Sequence, residues 1–161
     1  MTFLRLAAYV AAACTGISGG VLFAFSALVL PSLRQLPATE AVRAMQAVNL
    51  QAPRSAFMVP LLGSVLACAI VAVQAVVGQR TAARPLLLAG AGVGLAVFAI
   101  TAACHLPRND ALALVDPTGP AAAAAWADFE PGWTAWNHVR AAAGLVSAAL
   151  LIAAARVDAA D

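Results

Sequence analysis

Charged residues are sparse along this chain, and the uncharged stretches between them set its architecture. An α-helix needs about 20 predominantly apolar residues to cross roughly 30 Å of hydrocarbon. Three runs reach that length: Leu6 to Leu30 between Arg5 and Arg34, Phe57 to Gly78 between Arg54 and Arg80, and Leu86 to Cys104 between Arg84 and Arg108. A fourth run, Ala141 to Ala155, offers only about 15 residues, or about 22 Å of helix, between Arg140 and Arg156. Extended back to Trp133 it becomes a full span whose first turns carry Trp133, Trp136, Asn137, His138 and Arg140, the two indoles suited to a membrane–water boundary. The pattern predicts an all-α fold, a four-transmembrane-helix bundle with spans at about 6–30, 57–78, 86–104 and 133–155 in one membrane domain covering 1–161.

The segments between spans predict two further short helices. After the first span, Pro37 is followed by Thr39, a suitable N-cap, and by Glu40, whose charge suits a first turn, so a helix to about Leu50 is expected. Before the fourth span, Asp116 to Pro120 reads as a turn, and Pro120 opens a helix through Ala121 to Glu130. Pro131 and Gly132 are expected to break or kink the chain there. Four spans put both termini on one side and the segments 31–56 and 105–132 on the other. The density of Arg5, Arg80, Arg84 and Arg156 close to the spans favours cytoplasmic termini in a multi-pass protein of the cell membrane. A signal peptide is the alternative for the first run, since Arg5 precedes it and Ala11 to Cys14 resemble a lipoprotein cleavage site. The run continues to Leu30, beyond the roughly 7 to 15 residues of a signal core, and reads as a helix.

Composition removes several function classes. With 161 residues, 63% of them hydrophobic and only 10% charged, and a mean hydropathy of +0.91, a soluble monomer is excluded, because such domains hold roughly 25% charged residues. The nine basic residues are all Arg, and the formal charge of +2 is dispersed, which argues against a nucleic-acid partner. Cys14, Cys68 and Cys104 lie far apart inside apolar runs and form neither a CxxC pair nor a disulfide framework, so they read as small buried hydrophobes.

Candidate chemistry concentrates at the head of the fourth span. Trp133, Trp136, Asn137, Arg140, Gly144 and Ser147 fall along one helical stripe. Either Arg140 and Asn137 orient a ligand against the indoles, or Arg140 snorkels to the interface beneath an aromatic belt. His138 is the group there that titrates near neutral pH and a candidate general base. It points nearly opposite to Arg140, among Thr134, Ala135, Ala141 and Ala142, where a histidine hydrogen-bonded across a helix contact is the alternative. His105 ends the third span ahead of Pro107, Arg108, Asn109 and Asp110, on the face where Gln46, Asn49 and His138 also collect. No pair of these has a tight ligand spacing, so no metal is expected. Asp116, Asp128 and Glu130 read as solvated charges or caps, and Gly16 and Gly20, a GxxxG beside Gly19, as a helix-packing face.

Several stretches resemble the anthrone-oxygenase-like family of small four-span membrane proteins. They are GVLFAFSALVLP from Gly20 to Pro31, Leu36-Pro37, Met45-Gln46 with Asn49, HLPRNDAL from His105 to Leu112, Asp116-Pro117, and WTAWNHVR from Trp133 to Arg140. The resemblance spans nearly the whole chain, the HLPRND and WTAWNHVR stretches being its most specific parts. It implies a four-helix membrane bundle and, for some members, oxidation of an anthrone to an anthraquinone by O₂ without a conventional cofactor. His105 stands two positions before Pro107, where the family usually has Asn. On that reading His138 or His105 takes a proton from the acidic CH₂ of the substrate, and Asn137 and Arg140 hold the resulting oxyanion. Trp133 and Trp136 stack on the planar ligand, with Gln46, Asn49 and Asn109 as further substrate contacts. Its partners are then the lipid bilayer, a lipophilic aromatic molecule and O₂. The competing reading is a non-catalytic membrane protein that binds a lipophilic molecule or assembles with a partner, as a homo-oligomer through its small-residue faces. A transporter is disfavoured because no acidic residue falls inside the predicted spans.

Overall fold

The computed structural model describes residues 3–157. In chain order its helices are α1 (Phe3–Leu33), α2 (Ala38–Gln51), and α3 (Met58–Val77), α4 (Arg84–Ala113) and α5 (Ala122–Val157). No strand occurs among the described residues. All but α2 are long and apolar enough to cross a membrane. They close a ring in which α1 packs on α3 and α5, and α4 packs on α3 and α5. The shorter α2 lies across one end, against α5 and the last turns of α4.

The distribution of side-chain sizes shows which solvent this ring is built for. Its interior is lined by small residues, among them Ala8, Ala11, Ala12, Thr15 and Ser18 on α1 and Ala67, Cys68 and Ala75 on α3. Large apolar residues such as Ile17, Phe23, Val59, Leu62 and Leu66 point outward. In water that arrangement would expose the wrong side chains. In a bilayer it is expected, because lipid tails are as apolar as leucine and helices associate through close backbone approach instead. The four helices are those of a multi-pass membrane protein.

The closest approach is between α1 and α5. A Cβ added to Gly144 would lie 2.9 Å from the Cα of Gly19, and one added to Gly19 would lie 2.9 Å from the backbone nitrogen of Leu145. The GxxxG read from Gly16 and Gly20 is therefore displaced by one face: Gly16 makes an ordinary contact with Ala148 and Gly20 faces open space. Of the cysteines, Cys68 is fully buried while Cys14 and Cys104 are half-buried, and all three are free thiols.

The predicted short helices are present, with different ends. The helix α2 starts at Ala38 with Pro37, at ψ 143°, as its cap residue, so Thr39 lies inside the first turn and caps nothing. The helix expected from Ala121 to Glu130 runs without interruption into the fourth span, with Pro131 inside α5. Proline removes one hydrogen bond, to the carbonyl of residue 127. Ala127 is exposed, so water is available to that carbonyl. Phe129 and Glu130 before Pro131 and Trp133 and Thr134 after it are all buried, so packing on both sides holds the helix through.

Two spans contain a wide turn. In α1 it covers Phe25–Val29, and in α4 it covers Thr101–His105. Such π-turns insert a residue into the helix and redirect side chains, and they occur frequently at functional sites.

Candidate functional site

Both wide turns face the same part of α5. Asn137, fully buried, donates from Nδ2 to the carbonyl of Leu22 at 2.9 Å and to Ser26 Oγ at 2.6 Å, at the wide turn of α1. One turn further, Arg140 donates from Nη2 to Asn137 Oδ1 at 2.5 Å and from Nη1 to Thr101 Oγ1 at 3.0 Å. Thr101 opens the wide turn of α4, and its own hydroxyl donates a hydrogen bond to the Val97 carbonyl at 2.8 Å. A single stripe of α5 thus clamps the two irregular turns. Arg140 is only 6% exposed, and a cation at such a position is expensive unless its donors are engaged. Its guanidinium also lies over the ring of Trp133, 5.6 Å from the centroid, a cation–π placement.

Trp133 links this clamp to the end of α4. Its indole nitrogen donates to Asn109 Oδ1 at 2.9 Å, and its ring meets that of His105 edge-on, with centroids 4.9 Å apart. His105 closes the wide turn and is 1% exposed. The carbonyls of Ile100 and Trp133 lie near the imidazole, yet neither ring nitrogen has a partner in hydrogen-bond geometry, and the Nε of Arg140 also has none. A buried polar group without a partner costs roughly 1–3 kcal/mol, so this vacant donor and acceptor capacity singles out the site.

Five of the residues expected at the site are therefore drawn together: His105, Asn109, Trp133, Asn137 and Arg140. The others lie elsewhere. His138 is exposed on the outer face of α5, and Trp136, 39% exposed, lies on the opposite flank of the helix. Gln46 donates from Nε2 to the carbonyls of Leu112 and Val115, both at 2.9 Å, closing the end of α4. Asn49, one turn further along α2, is half-buried and its Nδ2 has no partner.

Sequence reasoning missed Ser26, Thr101 and Glu130. Glu130 is buried, against the expectation of a solvated charge. Its Oε1 accepts from Arg34 Nε at 2.8 Å and Nη2 at 2.5 Å and from Thr134 Oγ1 at 2.6 Å. The signal was the stripe itself: continued back through Pro131, the three- and four-residue spacing from Asn137 through Trp133 lands on Glu130. Asp116 is a loop charge as expected, and the Thr118 N–H and hydroxyl that it accepts hold its carboxyl below the usual range. Among the described residues no three His, Cys, Asp or Glu side chains gather in a metal-binding group.

No curated protein and no solved structure matches the chain. The family model for anthrone oxygenase matches residues 49–150, which take in α3, α4 and most of α5 with every residue of the His105–Trp133–Arg140 cluster. With well over half its length matched, this four-helix membrane protein belongs to the anthrone oxygenase family.

Proposed function

We propose that the protein oxidises a lipophilic hydroxylated aromatic of the anthrone type with O₂, and that the chemistry takes place at His105, Trp133 and Arg140. The observation that carries this reading is the buried imidazole of His105, edge-on against the same indole that holds the Arg140 guanidinium. Of the two histidines, His105 is then the base, because His138 faces away from the cluster. His105 takes one proton from the CH₂ between the rings of the anthrone, leaving an extended oxyanion stabilised by Arg140 and by the amide network of Asn137. The anion passes one electron to O₂, and the resulting pair combines at that carbon, with the proton returned, as a hydroperoxide. Loss of water from the hydroperoxide leaves the ketone. One oxygen atom enters the product and the other leaves as water, so the reaction balances without a further reductant.

A second reading is favoured by the full engagement of Asn137 and of both terminal nitrogens of Arg140 with α1 and α4. In that reading the cluster is a polar clamp in a non-catalytic protein that binds a lipophilic molecule. Oxygen uptake by the detergent-purified protein with a dihydroxyanthrone, corrected for the anthrone's own air oxidation, separates the two. We expect uptake of one O₂ per anthrone that is lost in His105→Ala and retained in His138→Ala. No uptake above background, or uptake unaffected by His105→Ala, would reject the catalytic role of the cluster.

A further inference from the structure

A cavity of about 220 Å³ opens between the last turns of α4 and the first turns of α5, lined by Arg108, Leu112, Val115, Asp128, Phe129 and Gly132 among others. We propose that it is the binding pocket for a planar aromatic molecule carrying acidic hydroxyl groups, which Arg108 orients toward His105. The ligand class rests on the function proposed above, whereas the pocket itself is argued from three features of the structure.

The first is shape and size. The cavity is a gap between two helices whose walls are partly apolar, at Leu112, Val115 and Phe129, and partly charged, at Arg108 and Asp128, and it is smaller than the roughly 300–1,000 Å³ of pockets for drug-sized ligands. Its volume admits an occupant smaller than a drug-sized ligand, and Phe129 in its wall offers an aromatic face for a flat one. The second is charge. Arg108 donates from Nη1 to the Cys104 carbonyl at 2.7 Å, which fixes its guanidinium against α4. Gly132 makes room for that group, since a Cβ there would lie 3.2 Å from Arg108 Nε and 3.4 Å from Nη2. With Asp128 also lining the slot, the positioned guanidinium suits an ionised hydroxyl paired with the cation, and the carboxylate suits a neutral hydroxyl that donates to it.

The third feature is continuity with the buried cluster. Trp126 stacks on Phe129 with centroids 5.9 Å apart, Phe129 lies 6.2 Å from Trp133, and Trp133 meets His105. These aromatics form a ladder down one face of α5, with Phe129 a wall of the cavity and Trp133 the ring shared by His105 and Arg140. A molecule in the slot therefore lies against Phe129, one helical turn along α5 from the Trp133 ring that meets His105. The sequence singled out Arg108 only as part of the HLPRND stretch, and neither Arg108 nor Asp128 takes part in the chemistry proposed above.

The test uses 1,8-dihydroxyanthraquinone, which has no CH₂ to oxidise, titrated into the purified protein in detergent and followed by quenching of tryptophan fluorescence. Saturable quenching is expected for the wild type. Ala125→Phe, which fills the slot from the α5 side, should weaken binding at least tenfold, and Arg108→Gln should weaken it severalfold while removing the preference for the dihydroxy probe over unsubstituted anthraquinone. Ala111→Phe fills the slot from the α4 side and serves should Ala125→Phe not purify as a monodisperse protein. Binding unchanged in the filled variants, or no saturable binding by the wild type, would overturn the pocket. Oxygen uptake is scored separately. Pocket-dependent binding without uptake leaves the pocket standing and rejects oxidation, whereas uptake that persists in the filled variants rejects the pocket and leaves oxidation standing.

Discussion

The two ends of the bundle are held together by different means. Around Ala8, Ala11, Ala12, Val71, Ala75, Ala91 and Ala154 the helices meet mostly through small side chains, with Leu87 and Leu151 among them, and the cross-helix polar contacts include Ser147 donating to the Gly90 carbonyl at 2.8 Å and Arg84 donating from Nη2 to the Val76 carbonyl at 3.4 Å. Around Leu30, Met45, Leu112, Phe129 and Trp133 the side chains are large, and Asn137, Arg140, Trp133, Gln46 and Glu130 all make hydrogen bonds to other helices. The first arrangement is sufficient for association in lipid, where packing and close approach drive assembly. The second places a cation, an amide and an imidazole where polar groups are costly, which makes it the candidate functional end.

The largest expected effect lies in the small-residue packing. Gly144→Leu must push α5 away from the backbone of α1, and neither helix has a flexible side chain there to yield. Overpacking typically costs about 1–3 kcal/mol, and against backbone on both sides the upper end of that range is expected. Gly20→Leu adds the same atoms where nothing lies within 4 Å and should be neutral. Thermal melting of the two variants in one detergent checks the pair; equal melting points would show that the Gly19–Gly144 approach does not hold the bundle.

The polar end is expected to respond next. Asn137→Leu leaves Arg140 Nη2, the Ser26 hydroxyl and the Leu22 carbonyl without their shared partner, a loss of about 2 kcal/mol. Ser147→Ala at the other end removes one donor to a carbonyl and should cost about 1 kcal/mol or less. If Ser147→Ala proved the more damaging in an unfolding titration, the contrast between the two ends would fail.

The sequence exposed this contrast unevenly. The four apolar runs and the stripe from Trp133 to Arg140 follow from charge spacing and a period near 3.6, and the helices and the Asn137–Arg140 pairing rest on those two regularities. The partners Ser26 and Thr101 do not, because each lies in or beside a π-turn, where an inserted residue shifts the register that a periodic pattern assumes. Glu130 was hidden for a different reason. Pro131 signals a helix boundary locally, and only the burial of residues on both sides of it overrides that preference. His138 and His105 show the limit of chemistry read by residue type: the two imidazoles are chemically alike, and only the packed fold separates the buried one from the exposed one.

The Arg34–Glu130 pair tests how far the polar end extends. Glu130 is buried while the Arg34 side chain is 47% exposed, so solvent screens one partner and the pair is worth about 1 kcal/mol. Glu130→Gln keeps an acceptor for Thr134 and should weaken the protein by about that amount, less so at high salt. A double-mutant cycle with Arg34→Gln measures the coupling. Zero coupling would confine the polar end to the Asn137–Arg140 clamp.

The smallest expected effect belongs to Asp116, outside both ends, in the turn between α4 and α5. Its carboxylate accepts from the Thr118 N–H at 2.9 Å and the Thr118 hydroxyl at 2.8 Å. Both bonds favour the charged form, so the folded pKa lies below the unfolded value. A carboxyl with a depressed pKa adds stability that is complete above its unfolded value, roughly 4, and is lost as pH falls through the folded one. Because the group is fully exposed, the contribution is small, and Asp116→Ala should leave melting at neutral pH nearly unchanged. The sharper measurement is the carboxyl's own titration by NMR. A midpoint below that of an ordinary aspartate, moving up in Thr118→Ala, is the expected result. An unshifted midpoint would mean that the turn is held by its backbone bond from Gly119 N–H to the Asp116 carbonyl alone, and that the α4–α5 connection needs no side-chain lock to carry Arg108 and Asp128 to opposite walls of one slot.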